Sequence, residues 1–382
     1  MASKLCEVSG TKPLQTRKNK TQPFDIVNSL TIIKWENMLM NCIRTVVTGT
    51  IFLALASGCF TSQAGESEGA LPELPNAITS FGAIRAGNHI YVYGGHAGKA
   101  HAYSTDTTLN SFHRLSINSP EKWETLDSGT RIQGTSLVAH GGYIYRVGGL
   151  TVLNELTANI DENEGDDNSR ANLRSLDDFA RFHIRSKKWQ QLPPLPAPRS
   201  SHDSIVVGHH LFVLGGWIIS GDTKEAKWYE QMWVMDLSDS QPVWNVLPQP
   251  FRRRAIAVGS HNNDIYAIGG MDSEGDTSNA VDVYDPVDRT WSKGPNLPNG
   301  PMKGFGAAAC STPTKLYVTH YAGALLTLNA QGSEWLEVGA LEPRRFFHRL
   351  VSGAARSLVA IGGANRSEGH LASVQQIHLN KH

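Results

Sequence analysis

Cysteine is scarce: there are four in 382 residues, Cys6, Cys42, Cys59 and Cys310, and three of them fall within the first sixty. A disulfide-stapled domain or a zinc ribbon needs clustered pairs inside the folded region, so both are excluded and the core must be held by packing. Net charge is missing as well. Lys plus Arg and Asp plus Glu number 35 each, so no global field holds nucleic acid or an anionic bilayer, and any charged partner is met by a local patch. The sequence contains no His-Glu-x-x-His helix and no phosphate loop. No metal and no cofactor is expected. What is plentiful is glycine, 36 residues, about 9% against a usual 7%, which points to many tight turns and an all-β chain.

The amino terminus reads as an address. Arg44 is followed by an uncharged run from Val46 to Ala56 and then by small residues, the order of a signal peptide. The run is short of the ~20 residues of a permanent membrane helix. Ala56-Ser57-Gly58-Cys59 resembles a lipobox that would place a lipid on Cys59, whereas Ser62-Gln63-Ala64 suits an ordinary signal peptidase. Residues 1–64 are thus expected to be leader and signal, with Met40 as an alternative start. Export to the periplasm, the outer membrane as a lipoprotein, or the cell surface follows. Removing their seven basic and three acidic residues from 35 of each leaves 28 against 32, a mildly acidic mature chain.

From residue 66 one phrase recurs, an apolar strand ending in two glycines: Gly94-Gly95, Gly148-Gly149, Gly215-Gly216, Gly269-Gly270 and Gly362-Gly363. Leu316-Tyr317-Val318-Thr319-His320 keeps the strand and loses the glycines. The first-glycine spacings, with Thr319 in the fifth place, are 54, 67, 54, 50 and 43, a repeat near fifty residues. After each pair comes a variable stretch, another strand and a tryptophan: Trp123, Trp189, Trp244, Trp291 and Trp335. Each unit offers about four short strands, too few to bury their own faces and enough to stack on a neighbour. The diglycine, Tyr284-Asp285-Pro286 and Trp291 resemble the kelch motif, and residues 66–382 are similar to a kelch-repeat β-propeller. The resemblance implies an all-β fold of six four-stranded blades with tryptophans packed between them. The last unit ends without a Trp strand, while Glu68-Gly69-Ala70-Leu71-Pro72 copies the Trp phrase with Glu68 in the Trp place. Residues 67–73 are therefore expected to supply the outer strand of the last blade and tie the termini together.

Function is expected on the face that carries the second-to-third loops and the blade connections. Two of these loops are enlarged. One, between Leu150 and Phe179, is acidic, and the other holds Trp228 and Tyr229, aromatics suited to a sugar or peptide. Arg131, Arg199, Arg253, Lys303 and Arg345 each precede the diglycine position by sixteen or seventeen residues. Equivalent positions in a ring face one another, so a cationic collar with His202 and His348 beside it is expected to bind an acidic ligand. The alternative is that each cation ties loop carbonyls of the scaffold. The leading functional reading is an exported, monomeric binding module for an acidic sugar or a protein or peptide. Exported sialic-acid mutarotases share the six-bladed architecture, and that resemblance implies a cofactor-free alternative in which Arg199, His202 and Glu230 handle the carboxylate and the protons. A copper-radical oxidase is disfavoured, because Cys310 sits in a strand that reads as buried.

Overall fold

The computed structural model describes residues 71–153, 172–221 and 225–379, all within one compact unit, Ala64–His382. The expected signal segment and most of the acidic insertion lie outside the described residues. Among those residues the regular elements are β-strands, arranged in six antiparallel blades. The innermost strands, in order, are Gly82–Ala86, Ser136–His140, Asp203–Val207, Ala257–His261, Ala308–Ser311 and Arg349–Ser352. Each touches the next, and the sixth touches the first, so the ring is closed.

The strand before each diglycine comes second. In blades one, three and four, Ile90–Tyr93, Leu211–Leu214 and Ile265–Ile268 are buried at every position, because flanking blades cover both faces of the sheet. Each such Ile or Leu contributes ~2 kcal/mol by burial. The outermost strands, such as Thr290–Lys293, are largely exposed.

Two hydrogen bonds stitch one blade to the next. The N–H of the second glycine donates to a carbonyl ahead of the neighbouring inner strand: Gly95 to Ile132, Gly149 to Arg199, Gly216 to Arg253, Gly270 to Gly304 and Gly363 to Ile78, at 2.7 to 2.9 Å. The glycine pair permits this approach. A Cβ on Gly148 would stand 2.5 Å from the Arg199 carbonyl oxygen, and its φ is +51°. The second tie is the tryptophan Nε1, which donates to a carbonyl four residues past the preceding Trp position: Trp189 to Asp127, Trp291 to Pro248 and Trp335 to Pro295. Trp244 does not make this bond, and its Nε1 is buried without a partner.

Closure obeys the same register. Trp123 donates to Pro72 O, four residues past Glu68. Leu74 N–H donates to Ala372 O at 2.8 Å, as Leu195 does to Asp177 and Leu297 to Asn279 in intact blades. The segment around residues 71–74 thus stands where an outer strand leads onward, and Leu71 and Leu74 pack on Val351, Val359 and Val374 of the last blade. Residues 67–70 lie outside the described residues.

The axis is narrow. Two residues before each inner strand the backbone turns left-handed, at Ser80, Gly134, Ser201, Ala255, Gly306 and Phe347, with φ between 50° and 67°. Successive members are hydrogen-bonded around the axis, Gly134 to Ser80, Ser201 to Gly134, Ala255 to Ser201, Gly306 to Ala255 and Phe347 to Gly306. Just below, Arg349 reaches across to the opposite blade: Nη1 donates to Asp203 Oδ1 at 2.9 Å, Nε to Phe81 O and Nη2 to Thr135 O. The second Asp203 oxygen accepts Val258 N–H. At the equivalent positions Gly82, Ser136, Ala257 and Ala308 are small, which leaves room for this clasp.

Candidate functional site

The five expected collar cations do not form a ring of side chains at the mouth. Arg199 is fully buried inside its own blade, where Nη1 donates to Val213 O and Nη2 to Gln231 O. Its guanidinium lies 3.6 Å from the centre of the Trp233 ring and 3.9 Å from that of Tyr229, and burial draws its pKa down to about 9. Arg253 donates to Gly269 O and Ala280 O and is ion-paired with the buried Asp282. Arg345 donates to Gly362 O and Ser373 O. Arg131 donates to Thr105 O and Thr108 O, and Lys303 is exposed. The scaffold alternative is therefore the correct one for the three buried arginines. A guanidinium has five donors in a fixed fork, which suits the several carbonyls that converge where a blade begins.

The other expected residues also separate. His202 and His348 are buried beside the axis, His202 Nε2 near Ser136 Oγ and His348 Nε2 2.6 Å from Thr319 Oγ1. Burial, with nearby arginines second, draws both pKa values down to about 3. Glu230 is exposed and ion-paired with Arg252, so Arg199, His202 and Glu230 do not share a site. Tyr229 turns inward, its hydroxyl donating to Pro198 O at 2.7 Å. Trp228 stays near the upper face, 5.3 Å ring to ring from Trp217.

A cavity of about 340 Å³ does open on the upper face, within the usual range of small-ligand sites. Five of the six residues that stand one before a left-handed turn supply its floor: Thr79, Gln133, Arg254, Phe305 and Phe346. His96, His101, Tyr103, Trp217 and His370 contribute to its walls. Arg254 is the cation the collar pattern missed by one position. Neighbouring residues in an extended segment point to opposite sides, and the run Arg252-Arg253-Arg254 is divided three ways. Arg252 pairs with Glu230 at the surface, Arg253 enters the blade, and Arg254 lines the cavity.

Among the described residues no carboxylate pairs with Arg254. Its Nη2 contacts Met271 Sδ at 3.2 Å, and its guanidinium lies 4.2 Å from the Trp217 ring centre, 5.5 Å from Phe305 and 5.6 Å from Trp228. Burial draws its pKa down to about 10, so it remains a cation at neutral pH. Three buried polar atoms of the cavity residues have no hydrogen-bond partner: Arg254 Nε, Trp217 Nε1 and His370 Nδ1. Such atoms are costly to leave unpaired. His370 is pushed down to about 4 by burial, then by His96 and His101, and burial lowers His96 as well. Both imidazoles are neutral at pH 7.

These features define a class, a six-bladed propeller with a polar and aromatic cavity on its upper face. The comparisons agree with the propeller fold. Residues 164–323 match the family described as the KLHDC2/KLHL20/DRC7 Kelch-repeats domain. The chain is similar to Kelch-like protein 35 of Mus musculus, 25% identical over 242 residues, 63% of this chain and 34% of that protein. It is also similar to alpha-scruin of Limulus polyphemus, 26% identical over 170 residues, 42% of this chain and 17% of that protein. The match thus spans about a third or less of these relatives. The solved structure described as "Structure of YjhT" superposes with a TM-score of 0.62 at 16% identity, covering 81% of this chain and 97% of that one, a likeness of fold. The chain is a six-bladed kelch-repeat β-propeller.

Proposed function

We propose that the protein is a binding module that takes an acidic ligand in the upper-face cavity, with Arg254 as the anion anchor. Kelch propellers generally bind proteins, and a carboxylate on a peptide or on a sugar satisfies the same chemistry. The observation that carries this reading is the meeting of an unpaired, half-buried cation with two further unpartnered polar atoms, Trp217 Nε1 and His370 Nδ1, in one aromatic cavity. An anion accepting from Arg254 supplies the missing partner, and the aromatic rings exclude water around it, which strengthens the pair.

Calorimetry with N-acetylneuraminate, its methyl ester, and acidic and neutral peptides tests this. The acid is expected to bind better than its ester, and Arg254→Ala to weaken the acid by roughly 2 to 3 kcal/mol, the scale of a charge-assisted bond. Equal binding of acid and ester, or an unchanged Arg254→Ala variant, overturns the reading. The alternative of a cofactor-free mutarotase is favoured by two neutral imidazoles, His96 and His370, lining the same cavity as the cation, since opening a hemiacetal needs one proton acceptor and one donor. Anomer exchange followed by NMR separates the two, and an unchanged exchange rate on adding protein removes the enzymatic reading. Export rests on the sequence of residues 41–64. A mature chain beginning at Cys59 with lipid or just after Ala64, measured by mass spectrometry from the native host, is the expected result, and an intact Met1 or Met40 overturns it.

A further inference from the structure

The lower face, where the first and second strands of each blade meet in hairpins, carries histidines that the upper cavity does not use. His140 ends the inner strand of blade two, and His209 stands in the hairpin turn of blade three, where Gly208 supplies a φ of 61°. The two rings come from adjacent blades and meet at their tips. His209 Nδ1 and His140 Nε2 are 3.3 Å apart, with ring centroids at 5.2 Å and planes at 84°. Both backbones are held: His140 pairs with Tyr143 in the ladder, and His209 O accepts Leu237 N–H at 2.8 Å. The pair is accessible, His209 being exposed and His140 half-buried.

Two imidazole nitrogens bound at ~2.05 Å to one tetrahedral ion stand ~3.3 Å apart. The scaffold therefore already holds these two at the spacing of neighbouring ligands, and little ordering is left for a metal to impose. In the absence of a metal the same spacing serves a hydrogen bond from the N–H of one ring to the bare nitrogen of the other. Of the other histidines of this face, His183 Nδ1 lies 2.7 Å from Ser186 Oγ, His210 Nε2 lies 3.9 Å from Asp236, and His261 is buried at the end of the inner strand of blade four. We propose that His140 and His209 form a two-histidine site for a borderline divalent transition metal, water filling the remaining positions. Among the described residues no group of three or more His, Cys, Asp or Glu side chains is placed to hold an ion, so the site exchanges its metal readily. Cu²⁺ binds it most tightly of the first-row divalent ions.

The test is titration of the full, untagged chain with CuCl₂, NiCl₂ and ZnCl₂ by calorimetry, together with electron paramagnetic resonance of the Cu²⁺ form. One Cu²⁺ per chain is expected, with hyperfine coupling to two nitrogens. His140→Gln and His209→Gln should each weaken it at least tenfold and reduce the coupling to one nitrogen, while His183→Gln leaves both unchanged. Melting without metal checks that the variants are folded, and His209→Asp, which restores a ligating group, should regain part of the affinity. Gln variants that bind Cu²⁺ as the parent does, a parent that binds no ion more tightly than a variant carrying both His140→Gln and His209→Gln, or a His209→Asp no better than His209→Gln each overturns the proposal.

Discussion

Among the three consecutive arginines at 252–254, identical side chains acquire different roles from direction alone. Arg253 is surrounded by carbonyls and a carboxylate inside its blade, and removing it would leave Asp282 buried with only Lys293 beside it. Arg254, one step along, meets aromatic rings and, among the described residues, no carboxylate. The histidines are sorted in the same way by burial. His202 and His348 are neutral in the folded protein, with pKa values near 3, whereas an unfolded histidine titrates near 6.5. As pH falls below 6.5 the unfolded chain takes up protons first, so the stability these groups allow is present above that pH and is lost on acidification toward 3. Urea unfolding between pH 6 and 4.5 should therefore show stability falling. His348→Gln should flatten that dependence by up to ~1.4 kcal/mol per pH unit, the value for one proton. Parallel curves for parent and variant would show that His348 charges in place.

At the scale of the element, the chain's closing segment matters more than its short length implies. Pro72 and Leu74 repeat the hydrogen bonds that outer strands make elsewhere in the ring, to Trp123 and Ala372. Deleting residues 66–76 should expose the edge of Val374–His378 and lower the melting temperature far more than deleting residues 1–64. Equal melting of the two truncations is the result that rejects closure by this segment. Blade five gives the converse case. It lacks the diglycine, and among the described residues no backbone bond from Thr319 or His320 matches the tie made by the second glycine in the other five blades.

For the whole molecule, the decisive feature is the axial clasp. Arg349 and Asp203 belong to opposite blades, and their contacts link blades one, two, three, four and six. They also divide the axis, with the upper-face cavity above and a separate space of about 250 Å³ below. Breaking a largely buried pair strands the remaining charge, so Arg349→Met and Asp203→Asn should each cost ~3 kcal/mol, and the double variant less than the sum. A double-mutant cycle by chemical denaturation measures this, and strict additivity would mean that the two charges do not act as a pair.

The sequence by itself determined the propeller. Its glycine pairs, tryptophans and apolar strands recur because every blade solves the same packing problem, and repetition makes each position legible without any distant contact. The hydrogen bonds of Pro72 and Leu74 follow the phrase that Leu71 to Leu74 copies, while the expected outer strand of residues 67–73 falls largely outside the described residues, among which the last blade has three strands. What only the tertiary structure decided is the direction of side chains at shared positions. The collar pattern found where cations recur, yet its three buried arginines serve the scaffold, while the cavity is lined from the positions one before the left-handed turns, where the blades differ: Thr79, Gln133, Arg254, Phe305 and Phe346. The clasp and the histidine pair were equally out of reach. Arg349 and Asp203 are 146 positions apart and His140 and His209 are 69 apart, and they meet because a closed ring brings opposite and adjacent blades together, a geometry that no local spacing records.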